Sequence, residues 1–143
     1  MRPDVRKILL ETDLCVLCTS KHDIPDASLM LYASDDSCAK LYMLTLEDTD
    51  KYRNILRNPN VSILIDTRDN ADGGAAWTKA LTIQGEASIL SDPAASREWI
   101  GRLTGRHGQL SNLAGDGSVR VIKVLIRHIL FLQSVDEGSD VAL

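Results

Sequence analysis

Aromatic residues are scarce in this chain: one Phe, two Trp and three Tyr among 143 residues. A core with so few rings must be filled by Ile, Leu and Val, and each Trp becomes a candidate for a special position. No apolar run is long enough to cross a bilayer, Ile8-Leu9-Leu10 being too short a block. Arg2-Pro3-Asp4 leads straight into a charged helix rather than a secretory signal, so a cytoplasmic address is expected. Lys and Arg form no cluster, and the net charge of −4 argues against nucleic acid as a partner. Internal repeats and low-complexity segments are absent as well. The length suits one domain, with a core over about 3–134 and a frayed tail at 135–143.

Cysteine is also sparse, at three residues. Cys15-Val16-Leu17-Cys18 has the C-x-x-C spacing, but no other Cys or His pair has ligand spacing, so no metal site is expected. The motif lies in a run that reads as a strand. Positions i and i+3 of a strand point to opposite faces, so the two sulfurs diverge and read as packing groups. Cys38, in the polar turn after Asp35-Asp36-Ser37, is expected to be exposed.

What is present is a series of short β-rich runs. A helix is predicted over 3–12, with Val5, Ile8 and Leu9 as its apolar stripe. Strands are predicted over 14–19, 26–33, 40–45, 61–65, 76–90, 119–126 and 129–134, the last two hinged at Arg127-His128. On the second strand Ala27, Leu29 and Leu31 share one face, and Ser28, Met30 and Tyr32 the other. Residues 67–75 read as a loop, Gly85 as a bulge or bend, and 108–117 as irregular. Asp92-Pro93 starts a helix that carries Trp99, Ile100 and Leu103 inward and ends near Gly105. Short turns between consecutive strands mean an antiparallel sheet, and short bulged strands with few helices point to a small β-barrel with peripheral helices.

The chain is organised around residues 41–66, which read as strand, short helix, strand. Asp48 or Thr49 can cap the helix, Tyr52, Ile55 and Leu56 share one face, and Asn58-Pro59 stops it. Lys51 sits against the positive end of the helix macrodipole. It reads either as a solvated lysine balanced by Glu47, Asp48 and Asp50, or as part of an anion seat with the Thr45 and Thr49 hydroxyls. His22 reads as a solvated turn residue, and Arg106-His107 and Arg127-His128 as surface turns.

Thr45, Thr49-Asp50-Lys51 and Asn58-Pro59-Asn60-Val61 follow the order strand–Thr–turn–[ST]-x-K–helix–N-P-x-V–strand. In this the chain resembles the pyridoxamine 5'-phosphate oxidase-like, FMN-binding split-barrel family, over roughly residues 5–134. The resemblance implies a mainly β fold, a six-stranded antiparallel split barrel of Greek-key type, working as a homodimer with FMN at the interface. It implies that Ser28, Leu29 and Met30 meet the isoalloxazine ring, partly through backbone groups. Leu44 and Thr45 would flank the ring and ribityl chain, Thr49 and Lys51 would hold the phosphate, and Trp77 and Lys79 would stand beside the flavin. Each also has an ordinary reading: Ser28 and Met30 as alternating strand residues, Trp77 as a dimer or barrel anchor, Lys79 as a solvated lysine. Oxidases acting on pyridoxamine phosphate place a glutamine where Ala80 stands and end in an aromatic–Arg–His cluster that this chain lacks, so vitamin B6 oxidation is not expected.

Two functions follow. One is an FMN-binding homodimer, an oxidoreductase acting on a small molecule. The other is a non-catalytic barrel that carries haem, a deazaflavin or no ligand.

Overall fold

The computed structural model describes residues 1–68, 77–134 and 137–143. Pro3 opens helix α1 (Pro3–Glu11), whose Val5, Ile8 and Leu9 are buried. Strands β1 (Leu14–Lys21) and β2 (Ile24–Leu31) form a hairpin. Its two-residue turn, His22-Asp23, has φ of 48° and 65°, the positive values that match a type I′ turn to strand twist. Then come β3 (Ala33–Ser34), β4 (Lys40–Leu46), α2 (Asp50–Arg57), β5 (Asn60–Asp66) and β6 (Ala80–Ile89). Helix α3 (Pro93–Arg106), a 3-10 turn (Gly108–Leu110) and α4 (Ser111–Ala114) lead to the 16-residue β7 (Val119–Ser134) and to β8 (Glu137–Val141).

All strand pairs are antiparallel, in the order β2-β1-β5-β6-β7-β4-β3, with β8 paired to β7. The fold is therefore mainly β: a curled antiparallel sheet, a half-barrel with peripheral helices. Among the described residues the sheet has eight strands rather than six. The predicted strands 119–126 and 129–134 are one strand, because pairing with β6 continues through the bulge: Gln84 pairs with His128, Gly85 with Ile126, and Arg127 is the extra residue. A Cβ on Gly85 would lie 2.5 Å from Val124 Cγ1 and 3.0 Å from the Leu125 carbonyl oxygen, so the close approach of β6 to β7 requires glycine there. The additional strands are β3 and β8.

The inner core joins Leu17, Leu41, Met43, Ile63, Ile83 and Ile122 with α1. A second cluster lies on the outer face of β4 and β7 under α3, where Tyr42 and Trp99 stack with ring centroids 3.6 Å apart. Strand β4 is thus buried on both faces, Leu41 and Met43 inward, Tyr42 and Leu44 outward.

Several expectations are corrected. The segment 137–141 is not frayed, since it pairs with β7 and buries Val141. Residues 108–117 hold a 3-10 turn and α4. Leu56 is 61% exposed and Asn54 is buried instead, because the Asn54 amide donates to the Thr19 hydroxyl at 3.1 Å and turns that face of α2 inward. Cys38 is buried in the main core cluster, at a positive φ of 57°. His107 is buried too, with Nε2 2.7 Å from the Tyr32 carbonyl oxygen, which needs a partner beyond the end of β2. Residues 69–76, most of the expected loop and the first residue of the predicted strand 76–90, lie outside the described residues.

Candidate functional site

The two ends of the sheet define an open seam. Among the described residues β2 has no strand on its outer edge, and β3 covers only Leu41 and Tyr42 of β4. β2 and β4 approach each other across this seam. Ser28, Leu29 and Met30 lie on one side of it and Leu44 and Thr45 on the other. Ser28 is half-buried, Met30 points into the core, and Leu29 faces outward and is 70% exposed. Leu44 is buried beneath α3. Thr45 is buried.

At one end of the seam is the start of α2. Thr49 is the N-cap: its hydroxyl oxygen accepts from the Tyr52 N–H at 3.3 Å and donates to the Leu46 carbonyl at 2.9 Å. The Thr45 and Thr49 hydroxyl oxygens are 2.9 Å apart. Both hydroxyl protons are therefore used within the turn. The donors left for an anion are the Lys51 ammonium and the backbone N–H groups of Asp50 and Lys51, which have no acceptor in the helix.

Lys51 is half-buried and makes no hydrogen bond or ion pair among the described residues. Its acidic neighbours are engaged elsewhere. Arg53 holds Asp48 at 3.0 Å and Asp50 at 2.9 Å, and Arg120 holds Glu47. Three acids thus meet two arginines, and Lys51 is left uncommitted among the described residues. Arg53 was legible as a helix neighbour of Asp50. Arg120 was not, because its place depends on the β4–β7 register, which sets Arg120 opposite Thr45.

Beside this turn the tip of the β1–β2 hairpin and α2 enclose a cleft of about 410 Å³ lined by Lys21, His22, Ile24, Pro25, Asp26 and Asp50, with Asn54 at its back. A larger groove of about 430 Å³ lies on the outer face of the sheet, with an apolar floor of Leu14, Val16, Leu29 and Leu64.

Trp77 is 68% exposed, and Lys79 is exposed with its backbone tied to Thr67. These two do not join the α2 turn within one chain. On β7, Thr45 is opposite Arg120 whereas Ala80, next to Lys79, is opposite Leu132. The strand path between those points is roughly 40 Å at about 3.3 Å per residue. Among the described residues no cluster of His, Cys, Asp or Glu has the makings of a metal site, and no helix is long and apolar enough to cross a membrane.

No curated protein matches the chain. Solved structures of similar fold include a Listeria innocua protein described as a candidate pyridoxamine 5'-phosphate oxidase (24% identity, TM-score 0.73, covering 92% of this chain and 97% of that one). Another is a FAD-binding protein from Mesorhizobium loti (18%, TM-score 0.73, 92% and 94% covered). A third is HutZ, the heme storage protein of Vibrio cholerae (19%, TM-score 0.74, 89% and 92% covered). The pyridoxamine 5'-phosphate oxidase family model matches residues 1–133, and the chain belongs to that family.

Proposed function

We propose that this protein binds FMN, with the phosphate at the start of α2 and the ring along the β2–β4 seam, between two copies of the chain. The observation that carries this reading is Lys51, a half-buried ammonium without a counter-ion, beside two free backbone donors at the start of a helix capped by Thr49. A phosphate dianion supplies the missing charge and accepts from the same N–H groups. Arg53 and Arg120 support the seat by neutralising Asp48, Asp50 and Glu47. Ser28 and the backbone edge of β2 beside it offer hydrogen bonds to ring and ribityl groups.

The homodimer is argued from the same geometry. Trp77 and Lys79 are too far along the sheet to serve the α2 turn of their own chain, while the exposed Leu29, Leu14 and Trp77 want cover. A second copy laid on this face completes the site and buries them. Bound FMN supplies electron transfer, and the protein supplies orientation and exclusion of water, which fits an oxidoreductase acting on a small molecule in the cytoplasm.

The test is a visible spectrum of the purified protein with FMN titration and a mass measurement in solution. Flavin absorption, a dimer mass, and at least a tenfold loss of FMN affinity in Lys51→Ala with unchanged circular dichroism are expected; a tenfold loss corresponds to about 1.4 kcal/mol. Colourless protein that takes up no added FMN overturns the reading.

One observation favours a second reading. His22 is exposed at the hairpin tip and lines the cleft next to α2, and an imidazole there is a haem ligand in kind. A Soret band on haem addition that is lost in His22→Ala, with no FMN binding, would establish a haem carrier instead. Uptake of a deazaflavin in place of FMN would keep the site and change the cofactor.

A further inference from the structure

On the outer face of the sheet, away from the seam, two lysines share a small cleft. Lys40 of β4 is opposite Leu125 of β7, and Tyr42 is opposite Lys123. From the other side of β7, Glu86 of β6 is opposite Leu125 and Ser88 is opposite Lys123. Directly opposed residues share a face, so Lys40, Lys123, Ser88 and Glu86 project together around Leu125. They line a cleft of about 130 Å³.

Its charge is unbalanced. Glu86 is the acid of the cleft, and its carboxylate is taken by Arg127 at 2.7 Å. Lys40 and Lys123 are both half-buried, and neither ammonium has an ion pair or hydrogen bond among the described residues. The nearby Asp35 carboxylate is bonded by the Ser37 hydroxyl and the N–H groups of Ala39 and Lys40 and attracts the Lys40 ammonium at longer range, whereas Lys123 has no acid of its own in the cleft. Like charges on neighbouring strands are unfavourable, and here they sit in a chain of net charge −4.

We propose that this cleft is an anion site for a single phosphoryl group, held by the Lys40 and Lys123 ammoniums and the Ser88 hydroxyl. The volume favours so small a ligand, since pockets for larger organic molecules run from roughly 300 to 1,000 Å³. A tetrahedral oxyanion presents several acceptors and two charges, matching two point-charge donors and a hydroxyl. The group is either inorganic phosphate or the phosphoryl end of a small metabolite whose remainder lies outside. The site is separate from the α2 turn and does not depend on the flavin reading.

The test uses the full chain carrying Lys51→Ala, so that the α2 turn is weakened as a competing anion seat. Phosphorus NMR and calorimetry follow binding of inorganic phosphate and of methyl phosphate in chloride at constant ionic strength. Saturable one-to-one binding is expected, weakened at least about tenfold by Lys123→Gln and again by Lys40→Gln, since each removes a charge-assisted hydrogen bond. Tighter binding of methyl phosphate assigns the metabolite source, and equal or tighter binding of inorganic phosphate the free ion. The Gln variants keep the stem of the side chain, and their circular dichroism and thermal melts report whether the sheet is intact. Binding that does not saturate, or that is unchanged in the Gln variants, overturns the proposal. Loss of FMN binding in Lys51→Ala with retained phosphate binding separates the two sites.

Discussion

The hydroxyl oxygens of Thr45 and Thr49 stand 2.9 Å apart, one at the end of β4 and the other at the cap of α2. Together with the Leu46 carbonyl, which both reach, they close the strand-to-helix turn into a small hydrogen-bonded unit. That unit fixes the direction in which α2 leaves the sheet, and with it the place of Lys51.

Replacing Thr49 by Ala removes the cap and leaves the Tyr52 N–H without its acceptor. A loss of about 1 kcal/mol is expected, in the usual range for N-caps. Thermal melts of Thr49→Ala and Thr49→Ser check this, the serine variant staying close to the parent.

Gly85→Ala drives a methyl group against Val124 and the Leu125 carbonyl oxygen. The expected cost is about 1–3 kcal/mol, as for overpacking elsewhere, with a fall of several degrees in Tm. Chemical denaturation of the variant measures it, and a variant as stable as the parent would show that the bulge yields easily.

Asp35 anchors the turn before β4. Burial raises its pKa, but bonds from the Ser37 hydroxyl and from the Lys40 and Ala39 N–H groups outweigh burial and hold the carboxyl below the ordinary carboxylate range. The folded state therefore binds this proton less readily than the unfolded chain. The stabilisation is complete above the ordinary carboxylate pKa and is lost as pH falls through the lower folded value. Asp35→Ala should cost about 1–3 kcal/mol at pH 7, and the gap to the parent should narrow in strongly acid solution, as read by denaturation at both pH values.

The three thiols should react in sequence. Burial, with a smaller effect from Cys18, pushes the Cys15 thiol up to about 12, and Cys38 is buried as well, whereas Cys18 is partly exposed. A thiol reagent at mildly alkaline pH should label Cys18 first and the other two only on unfolding, because the thiolate is the reacting form. Mass spectrometry of partly labelled protein gives the order.

Much of the fold was legible because its signals are local. The apolar run at Leu14 to Thr19, the Asp92-Pro93 helix start and the Asn58-Pro59 stop depend on neighbouring residues alone. The turn at Thr45–Lys51 was legible in the same way. Three kinds of feature were not. β8 has the composition of a loop, Glu-Gly-Ser-Asp-Val, and is a strand only because β7 presents it an edge. His107 looked like a surface residue, and its burial depends on the Tyr32 carbonyl 75 positions away in sequence. The outward turn of Leu56 was hidden because Asn54, a polar residue, took the buried place through its bond to Thr19. In each case a long-range hydrogen bond overrode a local pattern.

Strand β4 gains its long-range partner late. Its full-length neighbour is β7, which begins at Val119, whereas the hairpin β1–β2 and the pair β5–β6 close over short spans of chain. During synthesis residues 1–118 must all be made before β4 can pair with β7, so Leu41, Met43 and Leu44 wait for that strand. Loop closure over so long a span is slow, so a nascent chain halted before Val119 would hold the β1–β2 and β5–β6 pairs with β4 not yet joined to them.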